Sequence, residues 1–327
     1  MFWKKKPQGT SIFYATDIHG SSVCFKKFIN AAKFYASKGQ RVDCLIMGGD
    51  LTGKLIVPII REGKKYRSYL FGKERVLNTL TELDDLVKTT EVLGAYAHTF
   101  DPDEYAEFKN SPEIQDALFK KLMLRRLAEW MDFADERLKD TGVPCYISPG
   151  NDDIEEVKSV LEESAAVICP DDKIIQITDD HEMISLGNAN ITPFDCPGDL
   201  PEDELSRRID AIANQVNNMD SCIFNLHCPP YGTIIDDAPE LDDELRPQVG
   251  ISGVEMGAVG CKAVRDSIER NQPLLGLHGH IHESRGAAHL GRTLCLNPGS
   301  EYSEGVLRGV FVLIRKDEVV SHVFTSG

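Results

Sequence analysis

Ser11-Ile12-Phe13-Tyr14-Ala15-Thr16-Asp17-Ile18-His19-Gly20 is an apolar run that stops at a polar turn, and Ser11 to Thr16 reads as a short buried strand. Beyond it, Ser21 to Ser37 spaces Val23, Phe28 and Phe34 as a helix would, and Val42 to Met47 is a second apolar run ending in Gly48-Gly49-Asp50. Strand, helix and strand at this spacing predict a βαβ unit with parallel pairing. Open α/β sheets bind ligands beyond the carboxyl ends of their strands. The polar residues gathered at these ends are therefore candidates for chemistry.

The pattern then changes and later resumes. Leu55 to Ile60 and Tyr66 to Phe71 predict a hairpin around Glu62-Gly63-Lys64. Two long helical patterns follow, from about Lys73 to Leu93 (Val76, Leu80, Leu83, Val87) and from about Pro112 to Lys139 (Ile114, Leu118, Leu122, Trp130). Residues 54–141 are expected to form a hairpin-and-helix insert, or cap, within a single domain spanning 1–327. Strand-and-loop alternation returns at Pro144 to Ser148, followed by Pro149-Gly150-Asn151-Asp152-Asp153 and a helix from about Asp153 to Glu163. Strands near Ile174–Ile177, Glu182–Leu186 and Asn190–Thr192 precede a helix near Glu202–Asn217. Ser221 to Leu226 is a buried strand ending in His227. An acidic loop from Asp236 to Met256 leads to a helix around Val259–Arg270, and the strand Leu274–Leu277 ends in His278-Gly279-His280-Ile281-His282. The last quarter alternates as antiparallel strands do.

Composition narrows the function classes. With 327 residues, 42% hydrophobic and 27% charged, the chain can bury a sizeable core and is ordinary for a globular protein. No apolar run approaches about 18 residues, so a membrane span is not expected. Met1-Phe2-Trp3-Lys4-Lys5-Lys6-Pro7 is basic but lacks the apolar stretch of a secretory signal, and is read as a solvated terminus. Nine scattered cysteines without a CxxC pair point to reduced thiols and a cytoplasmic setting. A net charge of −16 argues against nucleic acid as a partner, because duplex binding needs a basic face. A phosphate-bearing substrate would need a locally positive site on this acidic surface.

Strand ends and the loops after them carry Asp17 and His19, Asp50, Asn151, His227, and His280 with His282. All are oxygen or imidazole donors and none is a thiolate, a set suited to manganese, iron, nickel or zinc in a hydrolytic site rather than a structural zinc cage. The D-x-H and H-x-H spacings put alternate side chains on one side of an extended segment, where both can face one ion.

In order, these segments read Asp17-Ile18-His19, Gly49-Asp50, Gly150-Asn151-Asp152-Asp153, His227 and Gly279-His280-Ile281-His282. The set resembles the calcineurin-like metallophosphoesterase family over about residues 10–53 and 142–327. Asp17-Ile18-His19-Gly20-Ser21 and Asn297-Pro298-Gly299-Ser300 are similar to its small bacterial and archaeal phosphodiesterase branch. The resemblance implies a four-layer α/β/β/α sandwich of two mixed β-sheets flanked by helices. It implies two divalent metals, manganese foremost, with Asp17, His19 and His282 on one, Asn151, His227 and His280 on the other, and Asp50 bridging. It also implies hydrolysis of a small phosphate ester, a diester by preference, by in-line attack of a hydroxide bridging ions about 3.5–4 Å apart. Two divalent ions against Asp17, Asp50 and the hydroxide leave about one positive charge locally, enough to receive a small phosphate on an acidic protein. Asp50, Asn151, Asp152 and His227 are the expected catalytic residues.

The chain departs from the family at Asp152, where other members carry His or Cys. An ionised Asp is a poor proton donor, so substrates whose leaving group needs little protonation are expected. Asp153 is read as a helix cap or an acceptor behind the ligands. His278 is a candidate support for the same motif, and Arg246 a candidate phosphate contact; His98, His181 and His289 match no motif position. A phosphomonoesterase is the nearest alternative. A retired scaffold would be expected to have lost ligands, and a metal-dependent amidohydrolase would begin, not end, with H-x-H. A homo-oligomer is compatible with the sequence but not demanded by it.

Overall fold

In the computed structural model, which describes residues 9–242, 244–250 and 253–327, β1 (Thr10–Ala15) leads through α1 (Ser22–Ser37) to β2 (Cys44–Met47). The two strands pair in parallel with Phe13 opposite Leu45. The basic Met1–Pro7 stretch lies outside the described residues, as does a small part of the Asp236–Met256 loop. After β2 come β3 (Ile56–Glu62), β4 (Lys65–Leu70), β5 (Lys73–Leu77), α2 (Leu80–Val92), β6 (Tyr96–Phe100), α3 (Pro102–Asn110) and α4 (Pro112–Leu138). Next are β7 (Cys145–Ile147), α5 (Glu156–Glu162), β8 (Val167–Ile168), β9 (Lys173–Thr178), β10 (His181–Leu186), β11 (Ala189–Asn190), β12 (Asp199–Leu200) and α6 (Glu202–Ala213). Then follow β13 (Ile223–Leu226), β14 (Asp237–Pro239), β15 (Val249–Gly250), β16 (Gly253–Val254), β17 (Met256–Ala258), α7 (Lys262–Asn271) and β18 (Leu275–Leu277). The strands β19 (Gly286–Leu290), β20 (Thr293–Asn297), β21 (Arg308–Arg315) and β22 (Glu318–Ser326) come last.

Two six-stranded mixed sheets, β22-β21-β1-β2-β7-β8 and β19-β20-β18-β13-β10-β9, form the frame. Strand alternation explains why they stack. On β1, Ile12 and Tyr14 join Ile46, Tyr146, Met183, Ile223, Leu275 and Leu277 in a core between the sheets. Phe13 and Ala15, on the other face, pack with Phe25, Phe28, Trp130, Met131, Val157 and Leu161 from α1, α4 and α5. The second sheet turns Ile184, Phe224 and Leu226 outward onto Leu205, Ile209, Val264 and Ile268 of α6 and α7. Both faces of each central strand are buried, which is why these strands read as continuous apolar runs. The result is a four-layer α/β/β/α sandwich.

The stretch between β2 and β7 carries its own sheet, ordered β5-β4-β3-β6. The hairpin around Gly63 forms, with Glu62 opposite Lys65. The helix expected from Lys73 does not start there. Phe71 and Gly72 both take positive φ and fold Lys73–Leu77 back on β4, and a capping box of Thr79 and Glu82 starts the helix later. Val76 and Leu80 are consequently 51% and 69% exposed, and the packed stripe consists of Leu83, Leu86 and Val87. Phe34, on the apolar spacing of α1, and Ile114, expected to face inward from α4, are exposed. The helix expected from Asp153 begins at Glu156, and the acidic loop contains the short pairs β14–β17 and β15–β16.

This stretch is tied to the turn after β1. Arg126 donates to the carbonyls of Gly20 (3.1 Å) and Ala95 (2.7 Å), Trp130 donates to Ser22, and the Tyr96 hydroxyl accepts from the Gly53 amide. All nine cysteines are free thiols. Among the described residues, no helix is long and apolar enough to cross a membrane.

Candidate metal centre

The loops after β1 and β2 are zipped together by backbone hydrogen bonds, from Asp17 N to Gly49 O, His19 N to Asp50 O and Gly20 N to Leu51 O. Across the sheets, Asn225 donates to Ser148 and the His280 amide donates to Asp17 Oδ1 at 3.1 Å; within the second sheet, the Gly279 amide donates to the His227 carbonyl. The ends of β1, β2, β7, β13 and β18 therefore converge, although they come from two sheets.

Asp17, His19 and His282 offer ligand atoms within 4.8 Å of one another, and so do Asp50, His227 and His280. In the first group, His282 Nε2 lies 3.5 Å from Asp17 Oδ1 and 3.0 Å from His19 Nε2. In the second, His227 Nε2 lies 3.3 Å from Asp50 Oδ1, and the His227 and His280 rings are 5.4 Å apart. The groups adjoin: His19 Nε2 is 3.5 Å from Asp50 Oδ2, and His227 Nε2 is 3.9 Å from Asp17 Oδ1. A third group joins His19 and Asp50 to Asp152.

Local backbone conformation is part of the design. Asp17, His19, Asp50 and His280 have φ of 53°, 36°, 51° and 65°, a left-handed region where non-glycine residues cost about 1–2 kcal/mol each. Asp, Asn and His are the non-glycine types that tolerate it best. Strain of this kind gathers where side chains are held for function rather than for stability.

Outer partners aim the donors. The Gly48 carbonyl holds His227 Nδ1 at 3.0 Å, which leaves Nε2 toward Asp50. Asp199 accepts from Asn151 Nδ2 at 2.8 Å, so Asn151 Oδ1 faces away from it. His278 is buried, and its Nδ1 reaches the carbonyls of Leu226 and Cys228 on either side of His227; it braces that loop. Ser300 donates to the Asp17 carbonyl. Asp153 accepts from Leu51 N, Thr52 N, Thr52 Oγ1 and Gly150 N. It is not a helix cap but a buried clamp between the Asp50 and Asn151 loops. Burial, then the Asp50 charge, pushes its carboxyl up to about 6 against those donors. Asp153→Ala should cost about 3 kcal/mol or more, since each buried donor left unpaired costs about 1–3 kcal/mol. Urea unfolding tests this, and a loss below about 1 kcal/mol would show that the loops hold without the clamp.

Electrostatics divide the donors. Burial opposes ionisation of Asp17 and Asp50, yet neighbouring His282 and His227 hold both below the usual carboxylate range, Asp50 the further. Burial likewise opposes protonation of His227, but Asp50 and Asp17 override it and carry its pKa up to about 10. Burial brings His19 and His280 down to about 4. Asp17 likewise raises His282 against burial, so of the four imidazoles His19 and His280 are the ones held neutral. Carboxylates and imidazoles together form a donor set suited to divalent metal ions, which would displace the protons from His227 and His282. Three buried atoms here, His19 Nδ1, Asn151 Oδ1 and His227 Nε2, make no hydrogen bond within the protein. Metal ligation would offset that cost at Asn151 Oδ1 and His227 Nε2. The residues present fit metal ions, and the Asp/His groups could hold them.

Other residues fall elsewhere. Arg246 pairs with Glu244 on the surface. His98 meets Phe100 edge-on, His181 bonds Thr178 and the Arg315 carbonyl, and His289 lies exposed on β19. Sequence reading missed Lys54, whose ammonium pairs with Asp152, and Cys196, whose thiol donates to Asp152 Oδ1 at 2.9 Å. Tyr302, also missed, packs its ring on His19 at 4.8 Å. The one available signal was Asp152 itself, a charge needing a partner.

No family model matches the chain. The curated relative "Uncharacterized protein MJ1162" of Methanocaldococcus jannaschii is 29% identical over 178 residues, 54% of this chain and 69% of that protein. The crystal structure of TT1561 of Thermus thermophilus is similar with a TM-score of 0.53 and 14% identity, covering 98% of this chain and 99% of that one. A second crystal structure matches at a TM-score of 0.54 and 13% identity, over 98% and 99% of the two chains. At such identities the likeness shows the fold.

Proposed function

We propose that this chain is a dinuclear-metal phosphoesterase, and a phosphodiesterase by preference. The observation that carries this reading is the pair of adjoining Asp/His groups that meet at Asp50. Asp17, His19 and His282 would hold one ion, Asn151, His227 and His280 the other, and Asp50 both, with manganese the favoured metal. When bound, such a pair supplies Lewis acidity toward phosphoryl oxygens and an acidified water as nucleophile. The protein's own contribution is orientation. The Gly48 carbonyl fixes the His227 ring, Asp199 turns the Asn151 oxygen inward, and Asp153 locks the two loops together. Asp152 lies at the solvent side of the centre, its Oδ2 3.5 Å from His19 Nδ1, and would face the leaving group in this reading. Bound to Lys54 and Cys196, it acts as an acceptor, which fits leaving groups that need little protonation.

We also read residues 54–141 as an insert in a single domain, because β2 and β7 pair directly across it, with Leu45 opposite Cys145. The test of function is to purify the protein after growth in manganese, count bound metal, and compare bis(p-nitrophenyl) phosphate with p-nitrophenyl phosphate. About two metals per chain and faster diester turnover are expected. Fewer than about one metal per chain after exposure to manganese, iron, nickel and zinc would sink the reading.

A further inference from the structure

The function proposed above leaves a cation at the edge of the centre without a role. We propose that Lys54 is a substrate-binding residue, an ammonium held in place by Asp152 to take a non-bridging oxygen of the phosphate ester. This rests on the phosphoesterase reading and adds to it the residue that meets the substrate's charge.

Position supports it. Asp152 is fixed from several sides: its amide donates to Asp50 Oδ1 at 3.1 Å, its Oδ1 accepts from Cys196, and its Oδ2 lies 3.5 Å from His19 Nδ1. The same Oδ2 holds Lys54. The chain just before Lys54 is anchored too, Thr52 to Asp153 and Gly53 to the Tyr96 hydroxyl. Both ends of the lysine are thereby located, so little of its rotamer freedom remains to be lost on binding.

Exposure gives the direction of approach. The side chains of His19 and Asp50 are 1% and 4% exposed, Asp152 is 15% exposed, and Lys54 is 54% exposed. Lys54 is thus the member of this group nearest to solvent. An ammonium has three donors; Asp152 takes one, leaving two for an incoming anion. On a chain with a net charge of −16, a fixed cation here also cancels the Asp152 charge, which would otherwise repel a phosphate.

The experiment uses Lys54→Met and Lys54→Arg in the metal-loaded protein, with metal content, inorganic phosphate binding by calorimetry, and KM and kcat on bis(p-nitrophenyl) phosphate as readouts. Lys54→Met should raise the phosphate Kd and the KM about tenfold, change kcat by less than about threefold, and leave metal content intact. Lys54→Arg, which keeps the charge, should stay within about threefold of the parent. A Kd and KM unchanged in Lys54→Met would overturn the assignment alone. So would loss of metal from that variant, which would mean that Lys54 only balances Asp152. Failure of the parent protein to bind metal would overturn the phosphoesterase reading, and the Lys54 assignment with it.

Discussion

Asp50→Asn is expected to leave the fold in place while removing at least one of two bound metals and lowering phosphodiester turnover about a thousandfold or more. Asparagine has the shape of aspartate and tolerates the left-handed backbone that Asp50 adopts at φ 51°. It can still accept from the Asp152 amide, as Asp50 Oδ1 does. What it lacks is the charge shared between the two Asp/His groups, where Asp50 lies 3.5 Å from His19 and 3.3 Å from His227. A metal contributes several kcal/mol of transition-state stabilisation, and about 4 kcal/mol corresponds to a thousandfold in rate. Metal analysis and steady-state kinetics on one preparation check this. A variant that keeps two metals and turns over within about tenfold of the parent would show that Asp50 does not join the sites.

Most of the frame was legible because its signals are local. Asp17, Asp50, Asn151, His227 and His280 each follow an apolar strand by a few residues, so the strand and its terminal donor could be read together. The same holds for the parallel pairing of β1 and β2, which a helix of 16 residues connects. The contacts that tune the site were not legible, because they join distant segments. Asp153 meets Leu51 across 102 residues and Asp152 meets Cys196 across 44. Nothing near Lys54 in sequence marks it as the partner of Asp152.

The misplaced helix at Lys73 has a different cause. Lys73-Glu74-Arg75-Val76-Leu77 is made largely of good helix formers, and four of the five are exposed on an edge strand, where packing leaves little apolar pattern. The tight turn at Phe71-Gly72 decided the outcome over propensity. The helical stripe was likewise overextended at Phe34 and Ile114, where the apolar spacing runs on past the surface that covers it.

Gly49→Ala is expected to cost about 3 kcal/mol or more and to abolish metal binding. A Cβ at this position would lie 2.6 Å from His227 Nδ1, 2.9 Å from Gly150 Cα and 3.0 Å from the Pro149 carbonyl. Neither the His227 ring nor the Gly150 backbone can yield cheaply, and Gly49 itself is pinned. His227 Nδ1 is bonded to the Gly48 carbonyl, the Gly150 amide is clamped by Asp153, and Gly49's own carbonyl accepts from Asp17. Its φ of 128° adds backbone strain of about 1–3 kcal/mol to an overpacking cost of about 1–3 kcal/mol. Gly63→Ala is the matched control. That residue also has positive φ, at 63°, but a Cβ there meets nothing within 4 Å, so strain alone applies and about 1 kcal/mol is expected. Denaturant unfolding of the two variants separates crowding from strain. Equal losses would mean that the loops carrying Asp50 and Asn151 can part without disturbing His227, and the rigidity attributed to the centre would be wrong.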